Sequence, residues 1–140
     1  MRFVLDNSVV MRWLFGDGSP SDLVYADRVL QVLQLEGNLA MVPGIWPLEI
    51  GNVVLRAEAR GLLSEARGAE FLGTLQEMPI QTDGQTHTHA LASTLQLARR
   101  HKLSSYDAAY LELALRQGVG LATLDSDLQR AAALSGVVLL

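Results

Sequence analysis

The sequence predicts an α/β domain with a short, mainly parallel central sheet sandwiched between helices. Apolar runs rich in strand formers, Phe3-Val4-Leu5, Leu39-Ala40-Met41-Val42 and Gly120-Leu121-Ala122-Thr123-Leu124, are separated by stretches with helical apolar spacing. Phe3-Val4-Leu5 is apolar throughout instead of alternating, which suits a strand covered on both faces. Between them lie helices or helical pairs, the connections that parallel strands require.

The first strand, Phe3-Val4-Leu5, is stopped by Asp6, Asn7 and Ser8, which can cap a helix from Val9 to Phe15. Gly16-Asp17-Gly18-Ser19-Pro20 ends that helix, and Ser21 or Asp22 can cap the next, which runs to about Gln34 with Leu23, Ala26, Leu30 and Leu33 near helical spacing. Gly37-Asn38 breaks it before the second strand, 39–42, closed by Pro43-Gly44. A helix then runs to about Arg60, with Pro47 tolerated in its first turn and Glu49 close behind. Ser64 with Arg67 starts another helix, ending near Glu77, and Pro79-Ile80-Gln81 is an edge strand because proline cannot donate to a ladder. Thr82-Asp83-Gly84 is expected to open one long helix reaching His101. Ser104 begins the following helix, ending at Gln117-Gly118; 120–124 is the fourth strand, Asp125 to Leu134 a helix, and Val137 to Leu140 a last strand.

At 140 residues the chain is expected to be one domain, 1–140, able to bury a core without staples. No cysteine is present, which excludes disulfides, thiolate metal sites and a cysteine nucleophile. The N-terminus lacks the features of a secretory signal and no apolar run approaches the ~20 residues of a membrane span, so a soluble, cytoplasmic protein with no membrane partner is expected. The formal charge is −4, so nucleic acid is not held by bulk positive charge. Part of that negative charge can instead be a metal-binding cluster. Ten of the eleven basic residues are Arg, the side chain suited to bidentate phosphate contacts.

Asp6, Glu49, Asp107 and Asp125 recur at one structural place, where a strand or loop becomes a helix. Each has an ordinary reading as a cap or first-turn acid. Together they read differently. Parallel strands point their carboxyl ends the same way, so Asp6 and Asp125 project from one edge, and they become neighbours if the fourth strand is added beside the first on the side away from the second. Glu49 and Asp107, on the helices that follow, can close around the same crevice. Four carboxylates in one cleft repel unless a cation compensates them or some are protonated. Oxygen-only donors suit Mg²⁺, with Mn²⁺ as the alternative, and such a cluster can polarise a phosphodiester and activate water.

Four segments carry a resemblance to a known family: Phe-Val-Leu-Asp-Asn-Ser-Val at 3–9, Pro-Leu-Glu-Ile-Gly-Asn at 47–52, Ser-Ser-Tyr-Asp-Ala-Ala-Tyr at 104–110 and Leu-Ala-Thr-Leu-Asp at 121–125. In order and spacing the chain closely resembles the PIN-domain ribonucleases, and within them the VapC-type toxins of bacterial toxin–antitoxin pairs. The resemblance implies a PIN-like three-layer sandwich and a Mg²⁺-dependent endoribonuclease acting on RNA, typically a homodimer, silenced by a small antitoxin. Asp6, Glu49, Asp107 and Asp125 match the catalytic and metal-binding acids; Ser8, Asn52 and Thr123 match polar residues lining that site.

Other residues have weaker readings. Asp127, two residues beyond Asp125, is expected to be a solvated first-turn acid. His87 and His89 fall on different helix faces and do not share a metal. Arg99-Arg100-His101-Lys102 complements a helix C-terminus, with RNA phosphate guidance as the alternative role. Trp13, Leu14, Phe15 and Trp46 are expected mostly in the core, a share of them forming a groove between the early helices for an amphipathic antitoxin segment. The rival functions are another Mg²⁺-dependent phosphohydrolase or phosphotransfer protein and, from a different class, a non-catalytic binding module. A haloacid-dehalogenase-like phosphatase needs an acid two residues after Asp6, where Ser8 stands, and a receiver domain needs paired acids there and a late Lys, whereas Lys102 is the sole lysine. A non-catalytic PIN-like binding module would have no need of the intact acids.

Overall fold

In the computed structural model, which describes residues 1–140, β1 (Arg2–Leu5) lies between two neighbours far from it in sequence. The sheet order is β3-β2-β1-β4, with β2 at Leu39–Val42, β3 at Ile80–Thr82 and β4 at Gly120–Ala122, and every pairing is parallel. Phe3 pairs with Ala40 on one side and Gly120 on the other. Phe3, Val4 and Leu5 are all fully buried. Because successive strand side chains point to opposite faces, this requires cover on both faces of the sheet, which the helices supply. The expected sandwich is therefore the fold. β3 sits at the edge, where Pro79 costs no inner ladder bond.

The helices are α1 (Asn7–Phe15), α2 (Pro20–Gln34), α3 (Trp46–Ala59), α4 (Glu65–Glu77), α5 (Thr86–His89), α6 (Ser93–His101), α7 (Ser105–Gln117) and α8 (Ser126–Leu134). No helix is long and apolar enough to cross a membrane. α7 is the central helix, with Ala108 to Ala114 all buried, and its N-terminus is capped by Ser104 Oγ accepting from Asp107 N at 3.0 Å. Trp13 is half-buried, and its indole donates to Ala26 O at 2.9 Å, fastening α1 to α2.

Some expected elements differ. The cap of α2 is Ser19, in a reciprocal capping box with Asp22, because Pro20 occupies the first helical turn and puts the N-cap before itself. The single helix expected over 82–101 is two, α5 and α6, broken at Ala92 (φ −118°, ψ −104°). Asp83 does not open a long helix; its carboxylate takes the Arg116 guanidinium at 2.6 and 3.2 Å and the Thr86 hydroxyl at 2.8 Å. Arg116 also reaches Glu112 on its own helix at 2.7 Å, so one guanidinium satisfies two buried acids and pins α7 to the turn after β3. The last strand shrinks to one bridge, Leu121 to Leu139. Its approach relies on Gly120, where a Cβ would stand 2.9 Å from Leu140 Cδ1 and 3.0 Å from Val138 O.

Candidate active site

The β1–β4 ladder runs one residue past β1, with Asp6 N donating to Ala122 O at 3.0 Å. This fixes Asp6 at the carboxyl edge of the sheet, level with the end of β4, where Thr123 follows. Asp6 occupies the N-cap position of α1, yet its carboxylate makes no capping bond. Its Oδ2 instead accepts from Ser8 Oγ at 2.6 Å and Thr123 Oγ1 at 2.7 Å. Those hydroxyls are tied down in turn: Leu124 N donates to Ser8 Oγ at 2.9 Å and Asp125 N to Thr123 Oγ1 at 3.0 Å. The buried acid is therefore held by side chains that are themselves held by the β4–α8 turn.

The other acids arrive from three further elements. Asp125 is the N-cap of α8, with Oδ1 accepting from Leu128 N at 2.8 Å, so its expected capping role is real and occupies one oxygen. Glu49 lies half-buried in the first turn of α3, and its Oε1 accepts from the Tyr110 hydroxyl at 2.8 Å. Asp107 lies half-buried in the first turn of α7.

These carboxyls are electrostatically one group. Burial is the largest influence raising the pKa of Asp6; the Ser8 and Thr123 hydrogen bonds oppose it, and the Asp125 charge adds to it. Glu49 is raised by burial and by Asp6 and Asp107, against the Tyr110 hydrogen bond. Asp107 is raised by burial, Asp6 and Asp125, with Asp127 acting in the same direction. Tyr110 is almost wholly buried, and burial and the Glu49 charge push its pKa far up, so the phenol stays a donor.

Hard divalent cations fit this donor set in kind: it is all oxygen, it is strained by like charge, and Asp6, Glu49 and Asp125 each engage a protein donor through one oxygen while the other takes no side-chain hydrogen. Asn7, beside Asp6, adds a buried Oδ1 with no hydrogen-bond partner. As they stand, however, no three of the chain's acids and histidines are grouped to hold an ion. Coordination calls for some side-chain movement; Glu49 and Asp107 are the half-buried acids on α3 and α7, and Glu49 has Oε2 free of hydrogen bonds while Oε1 stays on Tyr110.

Of the supporting residues, Ser8 and Thr123 join the cluster directly. Asn52 does not hydrogen-bond to it; it is exposed on α3, lining with Glu49 an open cleft of about 830 Å³ that also includes Leu48, Leu55, Arg56 and Tyr106. Asp127 is exposed and paired with Arg130 at 3.0 Å, as a solvated acid should be. His89 faces Glu112 at 3.8 Å, apart from the acids of the sheet edge. Arg99 and Arg100 are exposed in the last turn of α6, and Lys102 ends that helix in the left-handed region (φ 55°), so the basic run sits where a helix dipole favours it. Leu14 and Trp46 are buried in the core and Trp13 is spent on Ala26, so the early-helix groove is largely filled. Tyr110 had no role assigned from the sequence; its place three residues after Asp107 was the available signal.

Residues 3–134 match the profile of the PIN domain family. Ribonuclease VapC3 of Pyrobaculum aerophilum is 34% identical over 80 residues, covering 57% of this chain and 61% of that protein. The match thus spans less than two thirds of that relative's length. VapBC2 from Rickettsia felis, solved bound to a DNA fragment from its promoter, superposes with a TM-score of 0.68 at 11% identity, covering 100% of this chain and 98% of that one. VapC20 of Mycobacterium tuberculosis, a sarcin–ricin loop cleaving toxin, gives 0.60 at 13% identity over 92% of this chain and 94% of its own. At such identities the likeness to these two structures is one of fold.

Proposed function

This chain belongs to the PIN domain family, and we propose that it is a metal-dependent endoribonuclease, the toxin half of a toxin–antitoxin pair, with residues 1–140 forming one nuclease domain. The observation that carries this reading is the meeting of Asp6, Glu49, Asp107 and Asp125 at the carboxyl edge of a parallel sheet, near enough for their charges to couple.

Asp6, Asp107 and Asp125 would hold Mg²⁺ or Mn²⁺, and Glu49 would bind the ion or orient the attacking water. A bound divalent ion supplies Lewis acidity toward the phosphodiester and lowers the pKa of water. The chain's own contribution is positioning. Ser8 and Thr123 favour the ionised form of a buried Asp6 and fix which of its oxygens faces away from them. The cleft beside Glu49 gives a single strand a route to the acids, with exposed Tyr106 offering a stacking face and Arg56 a phosphate contact.

An antitoxin partner is part of the same proposal. Leu48, Leu55 and Tyr106 are 78%, 64% and 63% exposed on the rim of that cleft. An amphipathic segment laid there would cover them and bring a basic side chain toward the carboxylates, blocking the site by occupying the path of the RNA. Leu55→Ala should weaken co-purification with the antitoxin, with unchanged Mn²⁺ binding as the check that the acid cluster is intact. A homodimer completes the proposal and is read by light scattering.

The nuclease assignment is tested by sequencing RNA ends after incubation with the purified chain, with and without Mg²⁺ or Mn²⁺, beside Asp6→Asn. New ends that need both the metal and Asp6 are expected. A second reading, a non-catalytic PIN-like module binding RNA or protein, draws support from the absence of three acids already grouped around an ion position. It predicts RNA binding without cleavage at any metal concentration.

A further inference from the structure

Glu49 is the acid with the longest and most flexible side chain of the cluster, and it is only half-buried. An unrestrained Glu at the rim of a site samples several rotamers, and ordering it costs conformational entropy. The structure supplies one restraint. Tyr110, 1% exposed and locked in the middle of α7, donates its hydroxyl to Glu49 Oε1 at 2.8 Å across 61 residues of sequence. The ring is packed within the main hydrophobic core, so the phenol is a confined donor. Glu49 therefore has one oxygen anchored to a rigid donor, just as Asp6 has Oδ2 anchored to Ser8 and Thr123.

We propose that Tyr110 is a positioning residue, which fixes the orientation of the Glu49 carboxylate within the acidic cluster by donating its hydroxyl to Oε1. Asp107 opens α7 and Tyr110 lies three residues on, so one helix both delivers an acid and sets the posture of another acid on a different helix. Neighbours that hold a metal-binding side chain by hydrogen bonds typically contribute 10- to 100-fold to metal affinity. The inference rests on the metal-site reading above.

The test is calorimetric titration of the full chain with Mn²⁺, for wild type, Tyr110→Phe, Glu49→Gln and the double variant, with melting curves of each without metal. Tyr110→Phe keeps the ring and loses only the donor. It should weaken Mn²⁺ binding about tenfold, and the double variant should bind no more weakly than Glu49→Gln alone. Leu111→Val, a core change on the same helix, should lower the melting temperature without altering Mn²⁺ affinity. Equal affinity of Tyr110→Phe and wild type would overturn the proposal, as would an undiminished Tyr110→Phe effect in the Glu49→Gln background or an equal loss in Leu111→Val. If the wild-type chain takes up no Mn²⁺, the metal-site reading falls and this inference with it; the other adverse outcomes leave that reading standing.

Discussion

Thr123 donates its hydroxyl to Asp6 Oδ2 at 2.7 Å, joining residues 117 positions apart at the buried floor of the acidic cluster. Both are almost wholly buried, so the bond has no solvent substitute. Thr123→Val should leave a buried carboxylate one donor short and cost about 1–3 kcal/mol. Thr123→Ser, which keeps the hydroxyl, should lose clearly less. Urea unfolding of the pair reads the difference, and equal losses would show that packing, and not the hydrogen bond, is what Thr123 supplies.

Asp107→Asn should abolish cleavage while leaving metal-free stability unchanged or improved. The α7 cap runs through the backbone N of Asp107, which Asn retains. What disappears is a charge that burial, Asp6 and Asp125 all disfavour. Full activity with a marked loss of stability would assign Asp107 to helix capping alone. An RNA cleavage assay beside urea unfolding separates the outcomes.

Stability against pH carries two opposed signals. Asp6, Glu49 and Asp107 have raised pKa values in the folded chain. Between their ordinary and raised values the folded state binds the extra protons, so stability without metal rises as pH falls through that window. For Asp83, burial works upward, but the hydrogen bonds from Arg116 and Thr86 outweigh it and hold the carboxyl below its ordinary value. Its contribution is present above that ordinary value and is lost as pH falls through the lowered one. The melting temperature should therefore pass through a maximum on the acid side of neutral. Added Mn²⁺ should raise it at neutral pH and lose its effect as the raised carboxyls protonate. A melting temperature that only falls from neutrality downward would contradict the coupling of the cluster.

Arg116→Met should destabilise the chain by about 3 kcal/mol, because it removes the guanidinium that compensates two buried carboxylates, leaving Asp83 the Thr86 hydroxyl and Glu112 only the more distant His89. None of Asp6, Glu49, Asp107 and Asp125 is among the charges acting on Asp83 or Arg116, so Mn²⁺ affinity of the folded variant should be unchanged. A variant as stable as wild type in urea would show that the ion network contributes no net stability.

Much of this architecture is legible from local rules. Ser64, Ser104 and Asp125 cap the helices their spacing announces, and Pro79 marks the edge strand. Where reading fails, the deciding contact is remote. Asp83 looks like a helix opener because its partner Arg116 is 33 residues away, and nothing between residues 84 and 101 announces the break at Ala92. Trp13 could be assigned to a groove until Ala26 is seen to hold its indole. In the site, the four acids are visible as a pattern, and Ser8 and Thr123 through the family resemblance. The Tyr110 hydroxyl on Glu49 depends on how α3 and α7 pack, which no local pattern encodes.

The strand order has a consequence for the life of the chain on the ribosome. β1 and β4 are neighbours, yet Thr123 is added 117 residues after Asp6. At about 5–20 residues per second, the nascent chain spends on the order of ten seconds with Asp6 made and its floor missing. Throughout that interval β1 has at least one open edge, and the hydroxyl that helps stabilise the Asp6 carboxylate has yet to be synthesised. A growing chain thus carries Asp6 and Glu49 long before Asp107 and Asp125 join them, and any partner that captures β1, α1 or α3 early meets a protein that cannot yet close its site.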